Sequence, residues 1–263
     1  MILESLLLAA AVSLAPPSPQ SPGALGPSLH APFTALLKEH VRHGLVDYDA
    51  FEKSPEFPKY LQALATARID RMTRDERLAY WINVYNAYTI ALINKHKERE
   101  SIRNINMFLG LVKGKGPWKE EIVRAAGRTL TLDEVEHKII RVEFKEPRIH
   151  MALVCAAMSC PPLRPEAYEG STLNAQLHDQ TRTFLRERQT ENRLDLGNSV
   201  IHLSPIFDWF REDFGKTDAN ILKFVAPYFD GAGERNAFTA KRLTIEFTDY
   251  DWSLNLRKPR ETQ

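Results

Sequence analysis

The 263-residue chain reads as a mixed α+β domain, with a small, mostly antiparallel sheet surrounded by helices. Three observations predict this class. Helical and strand periodicities interleave along the chain, the strand-like runs are few and short, and several neighbouring runs are separated by hairpin-length turns rather than crossovers.

Phe33 to His43 has apolar residues at helical spacing and reaches Gly44, a helix-stop signal. Pro58 to Ala67 predicts a shorter helix. The strongest helical pattern runs from Arg74 to His96, where Leu78, Trp81, Ile82, Tyr85, Thr89 and Leu92 form one stripe. Glu121 to Thr131 predicts a hairpin turning at Ala126-Gly127. Thr131 to Phe144 predicts a helix opened by a capping box of Thr131 and Glu134. Arg148 to Val154 predicts a strand buried on both faces, because its apolar residues do not alternate. Ser171 to Arg188 is helical, and Val200 to Leu203 a short strand. Ser204 and Pro205 open a helix toward Phe214. Ala219 to Tyr228 predicts a further helix and Arg242 to Phe247 a last strand. Gly114-Lys115-Gly116 precedes Pro117 and is a turn, not a phosphate-binding loop.

Composition supports a globular chain: 43% hydrophobic and 26% charged residues. The balance of 35 basic and 34 acidic residues gives no basic excess of the kind that attracts nucleic acid. The cluster Arg257-Lys258-Pro259-Arg260 reads as solvated surface. An apolar run from Leu6 to Leu14, too short to span a bilayer, precedes the small residues Ser13-Leu14-Ala15 and a Pro/Ser/Gly-rich stretch to Ser28. Residues 1–28 are expected to be a leader with a linker, and 31–256 one globular domain, exported to the periplasm or the exterior. Glu4, the lack of Lys or Arg before the run, and Pro16 count against cleavage. No other segment reaches transmembrane length.

The segment His150 to Leu163 holds a histidine and two thiols, Cys155 and Cys160. A thiolate is the nucleophile of cysteine chemistry, and a nearby imidazole is the usual means of making one. On a regular strand, His150 and Cys155 face opposite sides, so the chain must turn after Val154 or another histidine must serve. His137 is that second candidate. Its neighbour Glu136 points about 100° away on a helix, so each needs a different partner. Three alternatives compete: a Cys155–Cys160 disulfide, inert packing of both thiols, and a core role for His150. Asn83 and Asn86 share a helix face beside Trp81, which suggests buried hydrogen bonds to a loop, a histidine or a substrate carbonyl. Asp208 and Asp213 have the wrong spacing for a carboxylate dyad. No metal-ligand pattern appears, and no cofactor is implied.

Taken in order, several stretches resemble one family. They are Val46-Asp47-Tyr48, Ala79 to Ala87 with its WxNxYNA core, Ser101-Ile102, Leu132 with Glu136-His137 and Arg141, Pro147 through Leu163, Ser204 with Ile206-Phe207 and Trp209, and Tyr250 to Asn255. Over roughly residues 45 to 255 the chain is similar to the domain of unknown function 547 family. The resemblance implies export for many bacterial members. It also implies thiol chemistry or thiol ligands, since relatives occur fused to glutaredoxin-like domains. Plant relatives keep the first cysteine and replace the second with serine, which points to Cys155 as the functional thiol and against an obligatory disulfide.

Three functions remain open. The first is a thiol-dependent hydrolase or acyl transferase acting on a small molecule or peptide. In it Cys155 is the nucleophile, His150 or His137 the base, and Glu136, Asn83 or Asn86 the orienting group. Trp81, Ser159 and Cys160 complete the candidate site. The second is a non-catalytic exported binding module with a structural disulfide. The third is a thiol–disulfide exchanger.

Overall fold

The computed structural model describes residues 28–106, 116–240 and 242–258. The expected leader and most of its linker, Gly114 and Lys115, and Pro259-Arg260 lie outside the described residues.

The fold is built around one long helix. Helix α1 (Ala31–His40) leads into a minimal hairpin, β1 (Val41–Arg42) and β2 (Leu45–Val46). Helices α2 (Tyr48–Lys53) and α3 (Glu56–Thr66) follow, and then α4 (Arg74–Lys95). The apolar spacing before Gly44 predicts helix up to His43, but α1 stops at His40. His43 (φ 52°) and Gly44 (φ 79°) instead form a two-residue turn with both residues left-handed. A Cβ on Gly44 would lie 2.5 Å from Pro162 Cβ, so the same glycine lets the hairpin touch the Cys160-Pro161-Pro162 segment.

Helix α4 starts where its sequence says it should. Thr73 Oγ1 accepts from Glu76 N, and Glu76 returns a bond to Thr73 N at 2.7 Å. It is buried on every side from Leu78 to Ile90, the mark of a central rather than a surface helix.

Strands β3 (Val123–Ala125) and β4 (Arg128–Leu130) form the predicted hairpin. Next comes α5, spanning 132–144 and opened by the Thr131/Glu134 capping box. Its middle, Val135–Ile140, is π-helical, with Arg141 N–H bonding Glu136 O five residues back. Such insertions re-aim side chains and recur at functional sites.

The strand expected over Arg148 to Val154 is not formed. Pro147–Met151 is a 3₁₀ turn, with Glu146 accepting from Arg148 N. Ile149, His150, Met151 and Ala152 are all buried, and a short run apolar on every side satisfies a buried helical turn as well as a strand. In place of a strand partner, the Asn86 amide donates to Ala152 O and accepts from Val154 N, both at 2.9 Å.

Helix α6 (Leu173–Glu187) is followed by β5 (Arg193–Asp195), β6 (Val200–Leu203), α7 (Ile206–Trp209), α8 (Asp218–Val225), α9 (Ala232–Thr239) and β7 (Thr244–Phe247). The helix expected to run from Ser204 to Phe214 is only the short α7. The chain then turns through Asp213 to Gly215 (φ 93°). Among the described residues the strands pair as β1-β2, β3-β4 and β5-β6-β7, with β6 and β7 parallel and the other pairs antiparallel. The class is therefore α+β with small, mostly antiparallel sheets. Two apolar clusters result. One surrounds α4; the other joins α6, β6, α7 and α8 through Phe184, Phe207 and Ile221. Tyr250 packs against both. Among the described residues, no helix is long and apolar enough to cross a membrane.

Candidate functional site

The segment after Val154 turns sharply. Ala156 adopts φ 69°, a left-handed conformation that costs an alanine about 1 kcal/mol. The C-terminal segment holds this turn: Asn255 N donates to Ala156 O, Met158 N to Ser253 O and Ser159 N to Asp251 O. The Ser159 hydroxyl accepts from Asp251 N at 2.9 Å and donates to Glu191. Ser159 thus fixes the neighbour of Tyr250.

The Cys155 sulfur is the focus of this arrangement. It lies 2.8 Å from Cys160 Sγ and 3.2 Å from the Tyr250 hydroxyl, and both cysteines are free thiols. Hydrogen bonding from Cys160 lowers the Cys155 thiol from its ordinary value; burial opposes it, and the Tyr250 hydroxyl and Ala157 N–H add to the lowering. Cys160 moves the other way, because burial and its neighbour both favour its neutral form. The proton of the pair therefore rests on Cys160, and the anion, when formed, rests on Cys155.

Both sulfurs line a cavity of about 200 Å³ that also meets Glu136, His137, His150 and Tyr85. The His150 side chain is 1% exposed, and its Nε2 lies 2.7 Å from Asp213 Oδ2. The ring stacks on Phe210 at 4.0 Å. Burial lowers the His150 pKa, with Asp213 opposing, so the imidazole stays neutral. Arg141 grips Asp213 with two bonds of 2.6 and 3.0 Å, and its third nitrogen reaches His137 Nδ1 at 3.0 Å. Burial alone would push the Asp213 carboxyl up. The bonds from His150 and Arg141 outweigh it and hold that carboxyl well below the usual range. His137 is also lowered, chiefly by burial, and its Nδ1 can accept from Arg141 only while neutral.

Cys155, Cys160, His150, His137 and Glu136 thus meet at one cavity. Among the described residues neither histidine hydrogen-bonds Cys155, whose polar partners are Cys160 and Tyr250. Glu136 makes no hydrogen bond to either histidine; Tyr85 stands beside it, and burial pushes its carboxyl up to about 7. The group orienting His150 is Asp213. The remaining candidates lie elsewhere. Asn86 holds the Ala152–Val154 backbone, and Asn83 pairs with the backbone of Tyr168 at 2.8 and 2.9 Å. Trp81 packs edge-on to Tyr80 in the core.

Asp213, Arg141, Tyr250 and Tyr85 join the site without having been singled out for chemistry. The i, i+4 spacing of His137 and Arg141 is a signal for a shared helix face. Nothing local links Asp213 to His150, 63 residues away.

Residues 69–185 match the model of the family described as protein of unknown function, DUF547. That segment contains α4, α5 and both cysteines, and the match supports assigning the chain to this family. No match was found among curated proteins or among solved structures.

Proposed function

We propose that the protein is a thiol-dependent hydrolase or acyl transferase with Cys155 as nucleophile. The observation that carries this reading is the set of donors converging on the Cys155 sulfur at the wall of the cavity. A thiolate stabilised by hydrogen bonds, reachable from a cavity and near a neutral imidazole, is the arrangement nucleophilic catalysis requires.

In this mechanism His150, anchored by Asp213 through Nε2, takes the Cys155 proton at Nδ1. The sulfur attacks an ester or amide carbonyl carbon, forming a C–S bond while the carbonyl π electrons move to oxygen. Collapse breaks the bond to the alcohol or amine, which leaves with the proton from His150. Water or a second acceptor then releases the acyl group and restores the thiol. An exported location, expected from the leader, belongs to the same proposal.

Incubation with p-nitrophenyl acetate tests it. The expected result is a burst of one p-nitrophenolate per protein and an acetyl adduct on Cys155, both lost in Cys155→Ser. An adduct distributed over surface lysines, or unchanged in that variant, contradicts it.

The adjacency of the two sulfurs favours a second reading, in which they form a structural or exchangeable disulfide. Its mark is an absence of alkylation at both cysteines until reductant is added.

A further inference from the structure

The cavity beside Cys155 holds a carboxyl group, Glu136, that has the Tyr85 hydroxyl beside it and, among the described residues, no cation paired to it. Glu136 is half-buried and lines the cavity from the π-helical turn of α5. Among the described residues no salt bridge reaches it; the nearby guanidinium of Arg141 is committed to Asp213. Asp133, one turn earlier on the same helix, lines the same wall. No lysine or arginine is among the described residues lining the cavity.

The other wall is aromatic. Trp209 and Trp252 lie nearly parallel, 17° apart with centroids at 5.8 Å, and Tyr250 contacts both. The Arg103 guanidinium already sits 5.3 Å over the Trp252 ring, so this ring's face accepts a cation. Trp209 is 49% exposed and opens the cavity to solvent. Arg103 already occupies a face of Trp252, which leaves Trp209 and Tyr250 beside the two carboxyl groups, and aromatic faces next to carboxylates attract an organic cation. An anion is repelled by the same wall. A purely apolar ligand fills the rings but leaves the carboxyl unpaired.

We propose that this cavity is a subsite for an ammonium group of the ligand, held between Glu136, Asp133 and the rings of Trp209 and Tyr250. The proposal rests on the cavity being the reaction site, and it names the substrate class: an amine-bearing acyl donor or acceptor.

Binding of a cation is then linked to loss of a proton from Glu136. The groups acting on that carboxyl are Tyr85 from α4, Asp133 and Arg141 from its own helix, and Asp213 from the turn after α7, while His137 lines the same cavity. Cys155 feels it as well. Of these, Arg141 and Asp213 form a fixed pair, so Glu136 is the group whose ionisation the cation changes.

The test uses the full chain, n-butylammonium, and tryptophan fluorescence. The expected result is a saturable change with n-butylammonium, at least tenfold weaker with n-butanol and absent with butyrate. Affinity should weaken about tenfold between pH 8 and pH 6, the change expected as a carboxyl titrating near 7 gains its proton. Glu136→Gln should abolish that pH dependence, and Trp209→Ala, a half-exposed site, should weaken binding at least fivefold. Binding of n-butylammonium is measured without an acyl donor and the acetyl adduct on Cys155 separately, so the subsite stands or falls apart from the nucleophile. Equal binding of n-butanol and n-butylammonium, or binding indifferent to both substitutions, overturns the proposal.

Discussion

His150 Nε2 and Asp213 Oδ2 lie 2.7 Å apart, although 63 residues separate them, and Arg141 closes the other side of the same carboxylate. Replacing Asp213 by Asn leaves Arg141 unpaired and His150 free to rotate. Stability at pH 7 should fall by about 1–3 kcal/mol, read by urea denaturation. The Asp213 pKa is depressed in the fold, so this stability is present above the ordinary carboxylate value of about 4 and is lost as pH falls below it. The gap between parent and variant should therefore narrow at pH 3. An equal gap at pH 7 and pH 3 would show that the carboxylate charge is not what holds the cluster.

Glu136 has the opposite linkage. Its pKa rises on folding from 4.5 to about 7, so the fold has no penalty below 4.5 and loses stability as pH climbs toward 7. The loss has an upper bound of about 3 kcal/mol, reduced because the carboxyl reaches the cavity. Glu136→Gln should raise Tm at pH 8 by several degrees and leave it nearly unchanged at pH 4.5. A gain of the same size at both values would contradict this assignment.

Asn83 and Asn86 separate stability from chemistry. Each bonds two buried backbone groups, so either alanine variant should cost about 2–4 kcal/mol. Only Asn86 holds the backbone next to Cys155. Asn86→Ala should slow alkylation of that thiol in native conditions, whereas Asn83→Ala should not. Comparable slowing in both would mean that the cysteine turn does not depend on this bridge.

How far the sequence reaches is clear from the same residues. The Thr131/Glu134 capping box, the spacing of α4 and the Ala126-Gly127 turn are local signals, and each element formed where they pointed. The stretch from Arg148 to Val154 carried no alternation to tell a strand from a buried turn, and the answer came from Asn86 on another helix. The same holds for the site. The grouping of His150, Cys155 and Cys160 was visible in one segment. Asp213 and Tyr250 reach it only through tertiary packing, which no spacing rule encodes.

Gly44 joins the first hairpin to the segment after Cys160. Its left-handed backbone and the 2.5 Å approach to Pro162 forbid a side chain without movement of both loops. Gly44→Ala should cost about 2 kcal/mol or more, measured by chemical denaturation. A neutral result would mean that the two loops shift freely against each other.

The acidity of the Cys155 thiol tests the central claim most directly. Iodoacetamide labelling of the reduced protein from pH 5 to 10, with the adduct located by mass, should give a midpoint at Cys155 below the ordinary thiol value of about 8.5. The midpoint should rise in both Tyr250→Phe and Cys160→Ala, which remove its donors. A parent midpoint at or above 9, unmoved by either substitution, would contradict the proposed nucleophile.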